Sequence, residues 1–188
     1  YRDGQYLDAS GLSFRDFMDG KLEILPGEVP TISDWRDHLT THFPDVRLKQ
    51  YIEMRGADGG AWDNLCALPA FWVGLLYDAD VLDQVDRMVC AWDKAERVAM
   101  RHAVPKHGLA TPFAGASLRE LAQQILPLAQ EGLKRRAELD WVGGDERGFL
   151  SPLFEIVESG KTAAAEKRAR FENEWQGAIE PVFREYAY

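Results

Sequence analysis

The sequence predicts an α+β protein, mostly helical, with one central strand and a hairpin near its start. Three observations carry this. Residues 46–55 alternate strictly, with Leu48, Ile52 and Met54 on one side and Arg47, Lys49, Tyr51, Glu53 and Arg55 on the other, the mark of a half-buried strand. Asp3-Gly4 stands between two short β-prone runs, a hairpin signal whose first arm is cut short. Between Thr31 and Trp175 most of the remaining chain shows apolar residues at helical spacing, opened by capping residues and closed by Gly or Pro.

In chain order, 13–18 reads as a short helical turn closed near Gly20, and 21–30, with Pro26, Gly27 and Pro30, as loop. Thr31–Phe43 is an amphipathic helix. Thr31 and Asp34 cap it, Ile32, Trp35, Leu39 and Phe43 form its stripe, and Pro44 stops it. The strand 46–55 runs into a loop with Gly56, Gly59 and Gly60. Trp62–Tyr77 is apolar on nearly every side and predicts a buried helix kinked near Pro69. Helices follow over 80–92 and 93–104, the second with Asp93 and Glu96 as capping box and Pro105 as its end. Residues 106–115 read as loop. Ser117 and Glu120 open a long helix to about Leu139, bent at Pro127, and Gly143-Gly144 closes it. Ser151-Pro152 starts a helix that stops at Gly160. Residues 162–175 form a charged, exposed helix, and 181–188 a short aromatic tail.

A hydrophobic fraction of 46% over 188 residues suits a single globular domain. A net charge of −9 argues against non-specific nucleic-acid binding, and no basic run offers a membrane patch. The longest mostly apolar run, 65–77, is too short for a span of about 20 residues. Cys66 and Cys90 do not make a disulfide framework, so a reducing cytoplasm is the expected compartment, with Cys66 an inert core thiol and Cys90 similar. The chain begins at Tyr1, without methionine or secretory signal, which predicts a piece of something longer. One strand and a clipped hairpin do not make an independent sheet, so either helices shield the strand or its partners lie on another segment.

The candidate site lies at the end of the strand. Glu53 and Arg55 share a face about 7 Å apart, with Tyr51 beside them. A carboxylate there can hold Mg²⁺, and a guanidinium can grip a carboxylate or phosphate through two parallel hydrogen bonds. The same spacing also describes an ordinary ion pair on a solvated strand. Trp62 and Trp72 lie near one helical face; tryptophans commonly pack, but one of them can wall a pocket above Glu53 and Arg55, as Tyr6 can from the hairpin. His38 and His42 share a helix face, yet Leu39 follows the first histidine where the catalytic zinc pattern has Glu. No nucleophile elbow, phosphate loop or dinucleotide fingerprint occurs.

The string Arg47-Leu48-Lys49-Gln50-Tyr51-Ile52-Glu53-Met54-Arg55-Gly56-Ala57-Asp58-Gly59-Gly60, with Trp62 and Leu65-Cys66-Ala67-Leu68-Pro69-Ala70-Phe71-Trp72, resembles glutamate–cysteine ligases of the plant-type group shared with proteobacteria. The flanks Ser13-Phe14-Arg15-Asp16-Phe17 and Pro181-Val182-Phe183 agree. The resemblance implies a fragment of a cup-shaped antiparallel sheet of the glutamine synthetase-like fold. Residues 1–188 would be the C-terminal part of a single catalytic domain, inactive without its N-terminal part. It implies an ATP-dependent ligase for the first step of glutathione biosynthesis. Its substrates would be glutamate, cysteine and ATP, and its cofactor Mg²⁺, with no nucleic-acid or membrane partner. By the same resemblance Glu53 would be a metal ligand, Arg55 a catalytic and glutamyl-binding residue, and Trp72 and Tyr6 would border the cysteine pocket. Asp58 reads as a turn residue. The chain departs from the family at His42, where an apolar residue is usual, and plant regulatory cysteines have no counterpart near Leu25 and Thr40. The alternatives are a non-catalytic helical binding module, or another carboxylate–amine ligase.

Overall fold

The computed structural model describes residues 1–139 and 141–187. They divide into two units, 1–57 and 58–188.

In the first unit the Asp3-Gly4 turn forms as expected. Both residues take positive φ, and Arg2 and Gln5 exchange backbone hydrogen bonds of 3.0 and 2.8 Å. Ser13 caps α1 (Phe14–Met18), which buries Phe17. Thr31 and Asp34 complete a reciprocal capping box on α2 (Ile32–Thr40). Arg2 ties the turn to this helix start, through Nη1 to Asp34 at 2.7 Å and Nε to Glu28 at 3.0 Å. The Arg2 hydrogen bond, with those from Thr31, holds the Asp34 carboxyl far below the usual carboxylate range.

The single strand expected over 46–55 is two strands. β1 (Val46–Leu48) and β2 (Ile52–Met54) pair antiparallel, with Val46 opposite Met54, Arg47 opposite Glu53 and Leu48 opposite Ile52. The chain reverses over 49–51, where the Lys49 N–H donates to the Tyr51 carbonyl at 2.9 Å. The alternation survives because the turn holds an odd number of residues, so the polar positions of both strands keep one face. The apolar side is half-buried only at Met54, while Leu48 is 81% and Ile52 59% exposed. The α2 stripe is likewise exposed at Ile32, Leu39 and Phe43, and the helix ends at Thr40, short of the expected Phe43.

The second unit is built on α3 (Trp62–Leu76) and α6 (Leu118–Arg136). They cross where both carry glycine. A Cβ on Gly74 would stand 2.2 Å from the Ala129 carbonyl oxygen, and one on Gly132 would stand 1.8 Å from that of Gly74. Only two hydrogens allow backbones this close. Around the crossing Ala70, Leu75, Val81, Ala129, Leu133 and Leu150 form the core. Val81, Leu133 and Leu150 are essentially fully buried, each contributing about 1.5–3 kcal/mol of transfer free energy. α3 is less enclosed than its composition suggests, since Trp62 is 70% exposed and α3 buries only the face carrying Ala67, Ala70 and Gly74 with Leu75 beyond it.

α4 (Ala79–Cys90), capped by Asp78, contributes Val81 to that core. Arg135 of α6 reaches Asp80 at 2.8 Å and Asp78 at 3.4 Å, joining the end of one helix to the start of the other. α5 (Lys94–His107) runs through Pro105, which was expected to end it. Proline this near a helix end removes one ladder bond from a turn whose carbonyls are already short of partners. The expected loop 106–115 begins inside α5 and holds a 3₁₀ turn, Gly108–Ala110, and the first strand, β3 (Pro112–Phe113), of a small hairpin that turns at Ala114 and Gly115, both at positive φ, into β4 (Ala116–Ser117).

α6 stops at Arg136, before the expected Leu139, with Ala137 left-handed at φ 57°. A 3₁₀ turn, Glu146–Leu150, leads into α7 (Ser151–Ser159), which Gly160 closes as expected. Arg119 of α6 donates to the carbonyls of Val157 and Glu158 at that end. α8 (Ala163–Asn173) is charged and has no buried residue. The expected tail is helical over α9 (Glu180–Glu185), held by Arg170, which meets Glu185 and Tyr186 and lies over the Trp175 ring. Its last residue, Tyr188, lies outside the described residues.

Gly74→Ala and Gly132→Ala should each destabilise the second unit by about 2 kcal/mol or more, since each drives a methyl into backbone. Gly148→Ala, where an added Cβ meets nothing within 4 Å, should stay within about 0.5 kcal/mol. Urea unfolding of the three variants checks this.

Candidate functional site

The β1–β2 hairpin gathers the charged residues. Register sets Arg47 directly across from Glu53, and the Arg47 Nε–H donates to Glu53 Oε2 at 2.7 Å. The pair is neither enclosed nor free in water, with side chains 37% and 31% exposed. Beyond β2 the Arg55 N–H donates to the Asp45 carbonyl at 2.7 Å, one backbone bond past the end of the ladder. Its guanidinium lies over the Phe43 ring, 5.8 Å from the centroid. The Arg47 hydrogen bond holds the Glu53 carboxyl below the usual range. Partial burial works against this, and the charges of Arg47, Arg55 and Lys49 add to it. The carboxylate expected beside Arg55 is thus bonded to Arg47. The sequence showed Arg47 only as one polar residue of a single strand, where six positions separate it from Glu53. The signal that could have found it is the matching parity of 47 and 53 around a hidden turn.

Tyr6 is 91% exposed and meets Tyr1 edge to face, with ring centroids 5.2 Å apart. It stands on the rim of a broad groove of about 930 Å³ lined by Leu7, Phe14, Leu25 and His38 among others. Glu53 and Arg55 do not line that groove. Trp72 belongs to the second unit, where it is half-buried against the core and meets Phe71 edge to face at 5.3 Å. Tyr6, Glu53 and Arg55 lie in the first unit.

Among the described residues no three His, Cys, Asp or Glu side chains gather to hold a metal. His38 and His42 are in ring contact at 4.9 Å, and His38 stacks on Phe14 at 4.3 Å. The hairpin offers Mg²⁺ one carboxylate. Oε2 of Glu53 accepts from the Arg47 Nε–H, and Oε1 is the oxygen left to face a cation. That donor set fits Mg²⁺, which is commonly held by one or two carboxylates with the rest from phosphates and water. Both cysteines are unpaired. Cys66 is half-buried. Cys90, expected to be buried as well, is exposed, and its hydrogen bond to Asp86 pushes the thiol pKa up.

Arg47 and Glu53 are thus paired on the hairpin, and Arg55 follows β2 close enough for its charge to act on the Glu53 carboxyl. The chain belongs to glutamate-cysteine ligase family 2 (GCS2), whose family model matches residues 4–185. It is 51% identical over 188 residues to the chloroplastic glutamate–cysteine ligase of Brassica juncea, covering 100% of this chain and 35% of that protein. Against glutamate–cysteine ligase A, chloroplastic, of Oryza sativa subsp. indica the identity is 50%, covering 100% of this chain and 37% of that protein. Against the chloroplastic enzyme of Arabidopsis thaliana it is 49%, covering 100% and 35%. The chain thus spans about a third of the length of the curated relatives it matches. Their names correct the cytoplasmic expectation: relatives this similar are chloroplastic, which points to a plastid. Two unpaired thiols do not say which compartment holds a protein.

Because the folded pKa of Glu53 is depressed, the Arg47–Glu53 bond contributes stability above the ordinary glutamate value of about 4.3 and loses it as pH falls through the folded value. Carboxyl carbon NMR should place the Glu53 midpoint below that ordinary value, and Arg47→Ala should move it upward.

Proposed function

We propose that this chain is the C-terminal part of the catalytic domain of an ATP-dependent glutamate–cysteine ligase, which catalyses the first step of glutathione biosynthesis. The observation that carries this is identity near 50% to proteins of that name along the whole chain. The charged hairpin face and the exposed apolar residues behind it support the reading. Val46, Leu48 and Ile52 form an apolar sheet face exposed beyond half, and a two-stranded ribbon is marginal by itself. Such a ribbon fits a fragment of a larger antiparallel sheet, the cup of the glutamine synthetase-like fold, completed by the N-terminal part of the longer protein.

The reaction needs such a face. A glutamate γ-carboxylate becomes a usable electrophile when one of its oxygens takes the γ-phosphoryl group of ATP and ADP leaves. The cysteine amine then attacks the acyl carbon, phosphate departs, and the amine gives up a proton. Both partners in the first step are anions, so cationic groups must offset their repulsion. Arg55 binds the glutamyl carboxylate or its phosphorylated form. Glu53 would supply a carboxylate oxygen to Mg²⁺, which when bound would offset the negative charge of the phosphates. Phe43 supports the Arg55 guanidinium from one side and leaves its donor edge for the substrate. The rival reading, a non-catalytic helical module, rested on an unpartnered strand, and the β1–β2 ladder removes that support.

In the full-length enzyme, Glu53→Gln and Arg55→Ala should each lower ADP formation with glutamate and cysteine by about 100-fold or more. Full turnover in either variant sinks the role given to that residue.

A further inference from the structure

We propose that Arg47 is a positioning residue of this site, fixing the Glu53 carboxylate through its Nε–H so that the other carboxylate oxygen, Oε1, faces the bound cation. The inference rests on the Glu53 role above and extends it to a residue that nothing else assigns.

Three observations carry it. Arg47 and Glu53 are register partners on neighbouring strands, so backbone hydrogen bonds fix their separation independently of their charges. The bond runs from Nε to Oε2 at 2.7 Å, a short charge-assisted contact that restrains the carboxylate plane. Both side chains keep access to solvent, at 37% and 31% exposed, so a cation can reach the pair. The Glu53 side chain turns about three rotatable bonds, and without this tether its carboxylate samples many orientations over the face. A single-carboxylate metal site is more sensitive to this than a cage, because no second protein ligand restores the geometry. Partners of this kind typically change metal affinity or activity by about 10- to 100-fold when removed.

The test uses the full-length enzyme, with two readouts: kcat for ADP formation, and Mn²⁺ affinity by calorimetry in the presence of ADP. Arg47→Ala should lower kcat about tenfold or more and weaken Mn²⁺ binding about tenfold. In a Glu53→Gln background the same substitution should add almost nothing to either, because a residue that acts through Glu53 has no effect once Glu53 is gone. Arg47→Lys, which keeps the charge, should recover more kcat than Arg47→Met, which keeps only the apolar stem. Additive losses, unchanged or tighter Mn²⁺ binding in Arg47→Ala, or full activity in Arg47→Met would each overturn the proposal. Should Glu53→Gln alone keep both turnover and Mn²⁺ affinity, the metal role of Glu53 fails and this inference with it. A damaging Glu53→Gln beside a silent Arg47→Ala defeats the inference alone.

Discussion

Backbone contact between Gly74 and Gly132 is the constraint on which the larger unit depends. Two helices that touch through carbonyls and α-carbons have no side chains to adjust at that point, so their crossing is set by the absence of atoms. What surrounds the contact follows from it. Ala70 and Ala129 are small because they border the closest approach, and Leu75, Leu133 and Leu150 fill the space that opens away from it. The polar ties sit at helix ends: Arg135 joins α6 to the start of α4, and Arg119 takes the last carbonyls of α7. Exposed ion pairs contribute little energy individually, and here they select one arrangement among those that the apolar core tolerates.

The hairpin of the first unit works by a different principle. Its positions are dictated by ladder hydrogen bonds, and its two faces have opposite character. On one face Arg47, Glu53 and Arg55 are partly buried and charged. On the other, Val46, Leu48 and Ile52 stand exposed. For a protein acting alone this apportioning is inverted. For a chain that spans about a third of its relatives it is what a strand pair inside a larger sheet would show. The reaction proposed for the complete enzyme brings a carboxylate and a nucleotide together. The charges we propose for it are those of Arg55, Arg47 and Glu53.

Much of the local structure was legible because it depends on neighbours in sequence. The Thr31–Asp34 and Ser117–Glu120 capping boxes form as their spacing requires, and Gly160 closes α7 in the left-handed conformation that the residue favours. Asp93 caps α5 through its side chain. The misreadings share one cause. A turn at 49–51 made of Lys, Gln and Tyr lacks the residues that announce turns, so two strands read as one. Pro105 near a helix end is cheap enough to be retained, and the stripe of α2 has the right spacing but no covering element among the described residues. Periodicity says which residues share a face; it does not say what faces them.

By itself the sequence determined where helices begin, which residues alternate and, through a long matching motif, the family. Those properties are local or are carried whole in the residue string. Only the tertiary structure decided that Arg47 stands opposite Glu53, that Arg55 lies on Phe43, and that Gly74 meets Gly132. Each of these joins residues through a turn or a crossing, and the free energy that selects it comes from hydrogen-bond register and backbone contact, which no single segment contains.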